Sequence, residues 1–251
     1  MPACFSGGNA AQGLTTERLT TLRFMAALCY ITDRSQFAGD ESARRHRLLD
    51  KVAEAALCGV DYIQLREKDL LARDLESLAR EAMKIVHDTR RETPKSQTRL
   101  LINSRTDVAL SAGADGVHLP CEDIGVEQVR SIWKKARLCG AGALTHEVFT
   151  PVISVACHSL QDVAHAASSG ADFALLAPIF EKKNTPDVEP AGLAALRQAC
   201  RLDIPVFALG GVSLASARSC VEAGASGIAG IRLFQENSIT DVVNTMRSLH
   251  A

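Results

Sequence analysis

Two hydrophobic rhythms alternate along the chain. Short apolar runs of strand length occur at "LCYIT" (28–32), "RLLIN" (99–103), "VISVA" (152–156) and "IPVFAL" (204–209). Between them lie stretches whose apolar positions repeat at helical spacing, such as "LLDKVAEAALC" (48–58). This predicts helices over 47–57, 71–86, 126–134, 160–167, 193–200, 215–223 and 239–249. Four more strands come from a weak repeat, "CGVDYIQL" (58–65), "AGADGVHL" (112–119), "SGADFALL" (169–176) and "AGASGIAG" (223–230). In each copy a glycine (Gly59, Gly113, Gly170 or Gly224) closes a helical pattern and an apolar run follows at once. A left-handed helix C-cap opening directly into a strand has that form. The copies recur at about the length of two β-α units, so four of them make eight units. The expected architecture is α/β, a single (β/α)8 TIM barrel over residues 23–251. Residues 1–22 read as a flexible N-terminal extension, and 138–151 as an insertion before the fifth strand. The stretch 181–192, "EKKNTPDVEPAG", is a long polar loop after the sixth strand, either a lid or a plain connection.

Composition adds exclusions. A length of 251 residues suits one such barrel, and 47% hydrophobic with 23% charged residues is ordinary for a soluble globular chain. The formal net charge of −1 supplies no basic field to hold nucleic acid or a membrane surface. Any anion must be met by a local cluster. The apolar run at 24–32 is too short to span a bilayer, and the N-terminus lacks a signal-peptide pattern. Eight cysteines are spread without a C-x-x-C pair, most of them among apolar or small residues, which reads as reduced, buried thiols in a cytoplasmic protein. The oligomeric state stays open, a homo-oligomer included.

Candidate chemistry collects where strands would leave the barrel, the end at which such folds build their sites. In "GVDYIQLREKDLLARDL" (59–75), Ile63 and Leu65 take one face, while Gln64, Arg66 and Lys68 take the alternate one at the exit of the second strand. Charges solvated at a strand end would look the same. The rim, however, collects further polar groups: Asn103 after strand three, His118 on strand four, Glu122 and Asp123 just beyond it, and His158 after strand five. Arginine and lysine beside a carboxylate suit a diphosphate, the cations neutralising its oxygens and Asp123 holding a divalent ion that bridges them. One carboxylate is by itself a weak metal signal, and His118 reads equally well as a packed interior histidine. A second cluster follows. "FALGGVS" (207–213) brings Gly210 and Gly211 to a helix start, and "GIAGIRLF" (227–234) brings Gly230 and Arg232. Exposed backbone N–H groups there form an anion cradle, a common phosphate site after strands seven and eight. Two anion sites on one rim point to an enzyme that joins or rearranges small phosphorylated compounds.

The residues "YITDRS", "QLREKDL", "AGADGVHL", "HS" and "ALGGV", in order from about Tyr30 to Phe234, resemble the thiamine phosphate synthase and thiazole tautomerase family. The resemblance implies a (β/α)8 barrel acting on small phosphorylated heterocycles. It implies that Gln64, Arg66, Lys68 and Asn103 hold a pyrimidine diphosphate, that Asp123 is a ligand of Mg²⁺, and that Gly211 and the backbone near Ile231 cradle a thiazole phosphate. Lys182, in the loop after strand six, joins the substrate-binding set, which also keeps Gly210, Gly230 and Arg232 from the second cluster. The chain departs from the synthase pattern at Ser104, where a second metal carboxylate is usual, at Ala156 in place of a serine, at Pro120-Cys121 in place of Gly-Gln, and at Arg232 in place of a serine. Several departures resemble the tautomerase branch, in which His158 would be the acid-base group that aromatises a carboxythiazole phosphate. The expectation is a synthase, with the tautomerase as alternative and a non-catalytic phosphate-binding barrel as a reading from another class. An aldolase using a Schiff-base lysine fits poorly, because Lys182 and Lys183 fall in a loop past the sixth strand.

Overall fold

The computed structural model describes residues 26–121, 123–138, 150–181 and 189–249. The expected N-terminal extension at 1–22, Glu122, Lys182 and Lys183, and most of the 138–151 insertion lie outside the described residues. Eight parallel strands close a barrel in chain order: β1 (Ala27–Ile31), β2 (Tyr62–Leu65), β3 (Arg99–Asn103), β4 (Gly116–Leu119), β5 (Val152–Cys157), β6 (Phe173–Leu176), β7 (Val206–Ala208) and β8 (Gly227–Gly230). β8 returns to β1 with Ala27 opposite Gly227 and Tyr30 opposite Gly230. One helix follows each of the first seven strands: α1 (Glu41–Leu57), α2 (Ala72–Glu92), α3 (Thr106–Ala112), α4 (Val126–Leu138), α5 (Leu160–Ser168), α6 (Gly192–Ala199) and α7 (Leu214–Glu222). After β8 come the short α8 (Arg232–Gln235) and then α9 (Ile239–Ser248).

The expected barrel is present, and the differences are local. α1 starts earlier than its apolar rhythm because Asp40 caps it, accepting from the Ala43 N–H at 2.9 Å. α3 was expected only as the helical pattern that Gly113 closes, without a range, and α8 was not expected; with seven and four residues they are too short to display a period. The repeat strands begin later than their apolar runs, since each run opens with a helix end and a turn. Gly59, Gly113, Gly170 and Gly224 have φ of +79°, +69°, +75° and +101°. At the first three a Cβ would meet nothing within 4 Å, so the left-handed backbone, not crowding, demands glycine.

The Asp two residues after three of these glycines ties neighbouring strands together. Asp61, Asp115 and Asp172 accept the backbone N–H of Leu28, Leu100 and Ile153 at 2.8, 2.7 and 2.7 Å. Each carboxylate also meets an arginine: Arg247 at 3.2 Å, Arg90 in a short contact, and Arg130 at 3.2 Å. The Gly-x-Asp repeat thus ends a helix, starts an even-numbered strand and anchors the odd-numbered strand before it. Side chains alternate across the wall. Leu28, Tyr30, Ile63 and Leu65 pack outward against helices, while Cys29, Ile31, Leu101, Val152, Phe173, Leu175, Phe207 and Ala229 fill the interior. Phe173 stacks on Phe207 with centroids 4.4 Å apart, and Tyr62 lies 4.8 Å from Phe173. This aromatic group fills the barrel interior below the C-terminal strand ends, the side on which such folds build their sites.

Candidate active site

A cavity of about 750 Å³ opens at the C-terminal ends of the strands. Its lining includes Gln64, Arg66, Lys68, Asn103, His118 and His158 on one side, and Gly210, Gly211, Gly230, Ile231 and Arg232 on the other. All the sequence-predicted site residues within the described segments therefore meet at one mouth, except Asp123. Gln64 is buried and donates through Nε2 to Asn103 Oδ1 at 2.9 Å. That bond leaves the Gln64 oxygen and the Asn103 amide nitrogen as a paired acceptor and donor. Arg66 is half-buried and Lys68 exposed. Among the described residues, none of Arg66, Lys68 and Arg232 pairs with a carboxylate. Glu181 and Glu236 also line the cavity, but none of the three cations is ion-paired, an arrangement suited to an anion.

His118 resolves the two readings left open by the sequence: it is an interior histidine that also faces the cavity. Its Nδ1 lies 2.9 Å from Ser154 Oγ. Burial, assisted by the Arg66 guanidinium, pushes its pKa from the ordinary 6.5 down to about 3, so the ring is neutral. His158 is exposed. Its Nδ1 lies 2.8 Å from the Ala177 carbonyl oxygen, which can only accept, so Nδ1 carries a proton and donates.

The opposite side is built from backbone. Gly210 and Gly211 have φ of +89° and +69°. A Cβ on Gly211 would come within 2.6 Å of the Glu181 carbonyl oxygen and 2.7 Å of Phe180 Cβ. Among the described residues, no oxygen accepts from the N–H of Gly211 or Val212. These donors precede Ser213, whose hydroxyl caps α7 by accepting from the Ser216 N–H. Free N–H groups at the start of a helix are an oxyanion seat.

Asp123 is half-buried at the edge, outside the cavity lining. Its Oδ2 accepts from the Ser104 hydroxyl in a short contact, and its Oδ1 accepts from the Ile124 N–H at 2.7 Å. Ser104 has φ of +64°, a left-handed backbone uncommon outside glycine, and its N–H is fixed to the His118 carbonyl at 2.8 Å. Among the described residues, no group of three His, Cys, Asp or Glu side chains converges to cage a metal. A lone carboxylate beside a hydroxyl fits Mg²⁺ only in that ion's usual manner, with substrate oxygens and water as its other ligands.

Several contributors were not anticipated. Ser154 was legible, since it falls on the inward alternation of β5, two residues before Ala156. Glu236 and Asn237 also line the cavity, but they follow a helix too short to be recognised. The cysteines divide: Cys29, Cys157 and Cys220 are buried, Cys58 and Cys200 half-buried, and Cys121 is exposed at the mouth. The expectation of buried thiols therefore fails at Cys121, because Pro120-Cys121 stands past the end of β4, where the chain has left the core.

A parallel barrel whose mouth opposes side-chain cations to a glycine-built oxyanion seat is a phosphate-ligand (β/α)8 barrel. Residues 28–234 match the family model described as thiamine monophosphate synthase. The chain belongs to that family. Over 206 residues it is 40% identical to a putative thiamine-phosphate synthase of Geobacter sulfurreducens, covering 81% of this chain and 84% of the relative. It is 35% identical to a thiamine-phosphate synthase of Methanoculleus marisnigri, covering 83% and 90% of the two chains. Among solved structures, a thiamine phosphate pyrophosphorylase from Pyrococcus furiosus superposes with a TM-score of 0.69 at 25% identity, covering 91% of this chain and 97% of that one.

Proposed function

We propose that this chain is a thiamine phosphate synthase, a transferase of thiamin biosynthesis that joins hydroxymethylpyrimidine diphosphate to a hydroxyethylthiazole phosphate. The observation that carries the reading is the opposition of uncommitted cations, Arg66 and Lys68, to the free N–H groups of Gly211 and Val212 across one cavity. The first pair suits the diphosphate and the second the monophosphate. The Gln64–Asn103 pair offers an acceptor and a donor side by side, which suits the amino-substituted ring of the pyrimidine.

In the reaction the bond from the pyrimidine methylene carbon to the diphosphate oxygen breaks, and the departing oxygens keep the electron pair. The thiazole nitrogen lone pair then forms the new C–N bond. Arg66 and Lys68 stabilise the charge that grows on the leaving group. Orientation comes from the glycine seat, and the aromatic plug below keeps the reacting ends in the mouth. Asp123, with the Ser104 hydroxyl beside it, would hold a Mg²⁺ that supplies further charge neutralisation at the diphosphate. His118, neutral at working pH, adds no charge to the site.

The synthases among the relatives favour this reading over the tautomerase and the non-catalytic barrel, and so does a cation pair for which a tautomerase has little use. A cytoplasmic setting goes with this reading, and the thiols of Cys29, Cys58, Cys157, Cys200 and Cys220 are free. The test is to incubate the protein with both heterocycle phosphates, with and without Mg²⁺, and identify products by mass spectrometry. Thiamine phosphate and pyrophosphate in equal amounts are expected. Conversion of a carboxythiazole phosphate alone to its aromatic isomer, with no coupled product, would overturn the synthase in favour of the tautomerase.

A further inference from the structure

The loop leaving β2 reads Arg66-Glu67-Lys68-Asp69, so each mouth cation has a carboxylate for a neighbour, and neither cation is neutralised by one. The carboxylates are engaged elsewhere. Arg34, in a single 3₁₀ turn after β1, is 4% exposed. Its Nη1 donates to Glu67 at 3.1 Å and to Asp69 at 2.7 Å, its Nη2 to Asp69 at 3.0 Å, and its Nε to Glu41 at 2.6 Å. Its backbone N–H adds a bond to Glu67 Oε2 at 3.0 Å. The other Glu67 oxygen accepts from Thr32 Oγ1 at 2.6 Å, and that hydroxyl in turn accepts from the Arg66 N–H at 2.9 Å. Both Glu67 oxygens and both Asp69 oxygens are therefore committed to β1 and the turn after it.

We propose that Arg34 is a positioning residue: by occupying Glu67 and Asp69 it keeps Arg66 and Lys68 uncommitted for a phosphorylated ligand. The inference rests on the reading of Arg66 and Lys68 as the diphosphate side of the mouth. A guanidinium suits the task, because its planar fork reaches several carboxylate oxygens at once and it stays charged in a buried place. Its bond to Asp69 raises its own pKa further, and the same bond holds the Asp69 carboxyl below its usual range. A clamp needed only for packing would be met by one partner. Arg34 holds three carboxylates, more negative charge than it neutralises, and two of the three come from the loop that carries the mouth cations. Without it those two carboxylates are left beside Arg66 and Lys68, where either can pair with a cation and compete with the ligand.

The experiment measures inorganic pyrophosphate binding by calorimetry at low salt, together with KM and kcat for the diphosphate substrate. Arg34→Met is expected to weaken pyrophosphate binding and raise KM by about tenfold, with kcat changed by less than about threefold. The triple variant Arg34→Met, Glu67→Gln, Asp69→Asn is expected to recover most of that loss, since the competing charges are gone. A loss of packing would not be recovered by removing further partners. Should Arg34→Met fail to fold by circular dichroism, Arg34→Lys keeps the buried charge but cannot span both acids. It is expected to lose about threefold, restored by adding Asp69→Asn, a change at an exposed position. Unchanged binding in the arginine variants, or a loss that the acid substitutions leave in place, overturns the inference. A parent protein that does not bind pyrophosphate overturns the diphosphate reading itself, and the inference with it.

Discussion

The two sides of the mouth recognise anions by different means. The β2 side uses side chains: Arg66 and Lys68 carry full charges on flexible stems, and neighbouring carboxylates have to be drawn off for them to act. The β7–β8 side uses backbone: free N–H groups held by glycines whose conformation no other residue adopts cheaply. The first design is tunable and sensitive to salt, and the second is rigid and sensitive to shape.

Substitutions can break that contrast. The largest effect is expected from Arg66→Ala, which should lower kcat/KM for coupling by about 10²–10³, the usual result of losing one preorganised donor to developing charge. Steady-state kinetics would show it, with the melting temperature little moved. Gly211→Ala should do the opposite kind of damage. The added Cβ meets Glu181 O and Phe180 Cβ, and φ is positive, so a stability loss of about 1–3 kcal/mol in urea should accompany weakened thiazole phosphate binding.

A third effect lies between the two sides. The His118 pKa is depressed from 6.5 to about 3 in the fold, so between these values the unfolded chain binds a proton that the folded one refuses. Stability is then complete above pH 6.5 and falls as the pH drops toward 3, at up to about 1.4 kcal/mol per pH unit. Urea midpoints at pH 7 and pH 5 should converge in His118→Gln relative to the parent. The smallest effect is expected from Ser213→Ala, which removes the α7 cap at a cost of about 1 kcal/mol, read as a lower melting temperature with Arg66-dependent pyrophosphate binding intact.

Much of this was legible in the sequence because it is periodic. The four glycines Gly59, Gly113, Gly170 and Gly224 marked helix ends and the strands that follow, and period-two alternation placed Gln64, Arg66 and Lys68 on one face. The left-handed turn at Gly210-Gly211 was legible too, since the pair stands directly before a helix start at Ser213. What escaped was whatever depends on partners distant in sequence. Nothing around Arg34 in "YITDRSQ" signals that it will meet Glu67 and Asp69, and Ser104 gives no hint of its left-handed backbone or of its contact with Asp123. Asp123 shows the limit in the other direction. A carboxylate can be expected at the rim from its place after β4, yet its position outside the cavity lining depends on a loop that no periodicity describes.

The exit of β2 has one more consequence. Because acid and base alternate over 66–69, the sign of the mouth depends on a count of residues. A one-residue insertion after Leu65 would rotate Glu67 and Asp69 toward the ligand and turn both bases against Arg34. Composition and net charge would barely change, and a trap for phosphates would become one for cations.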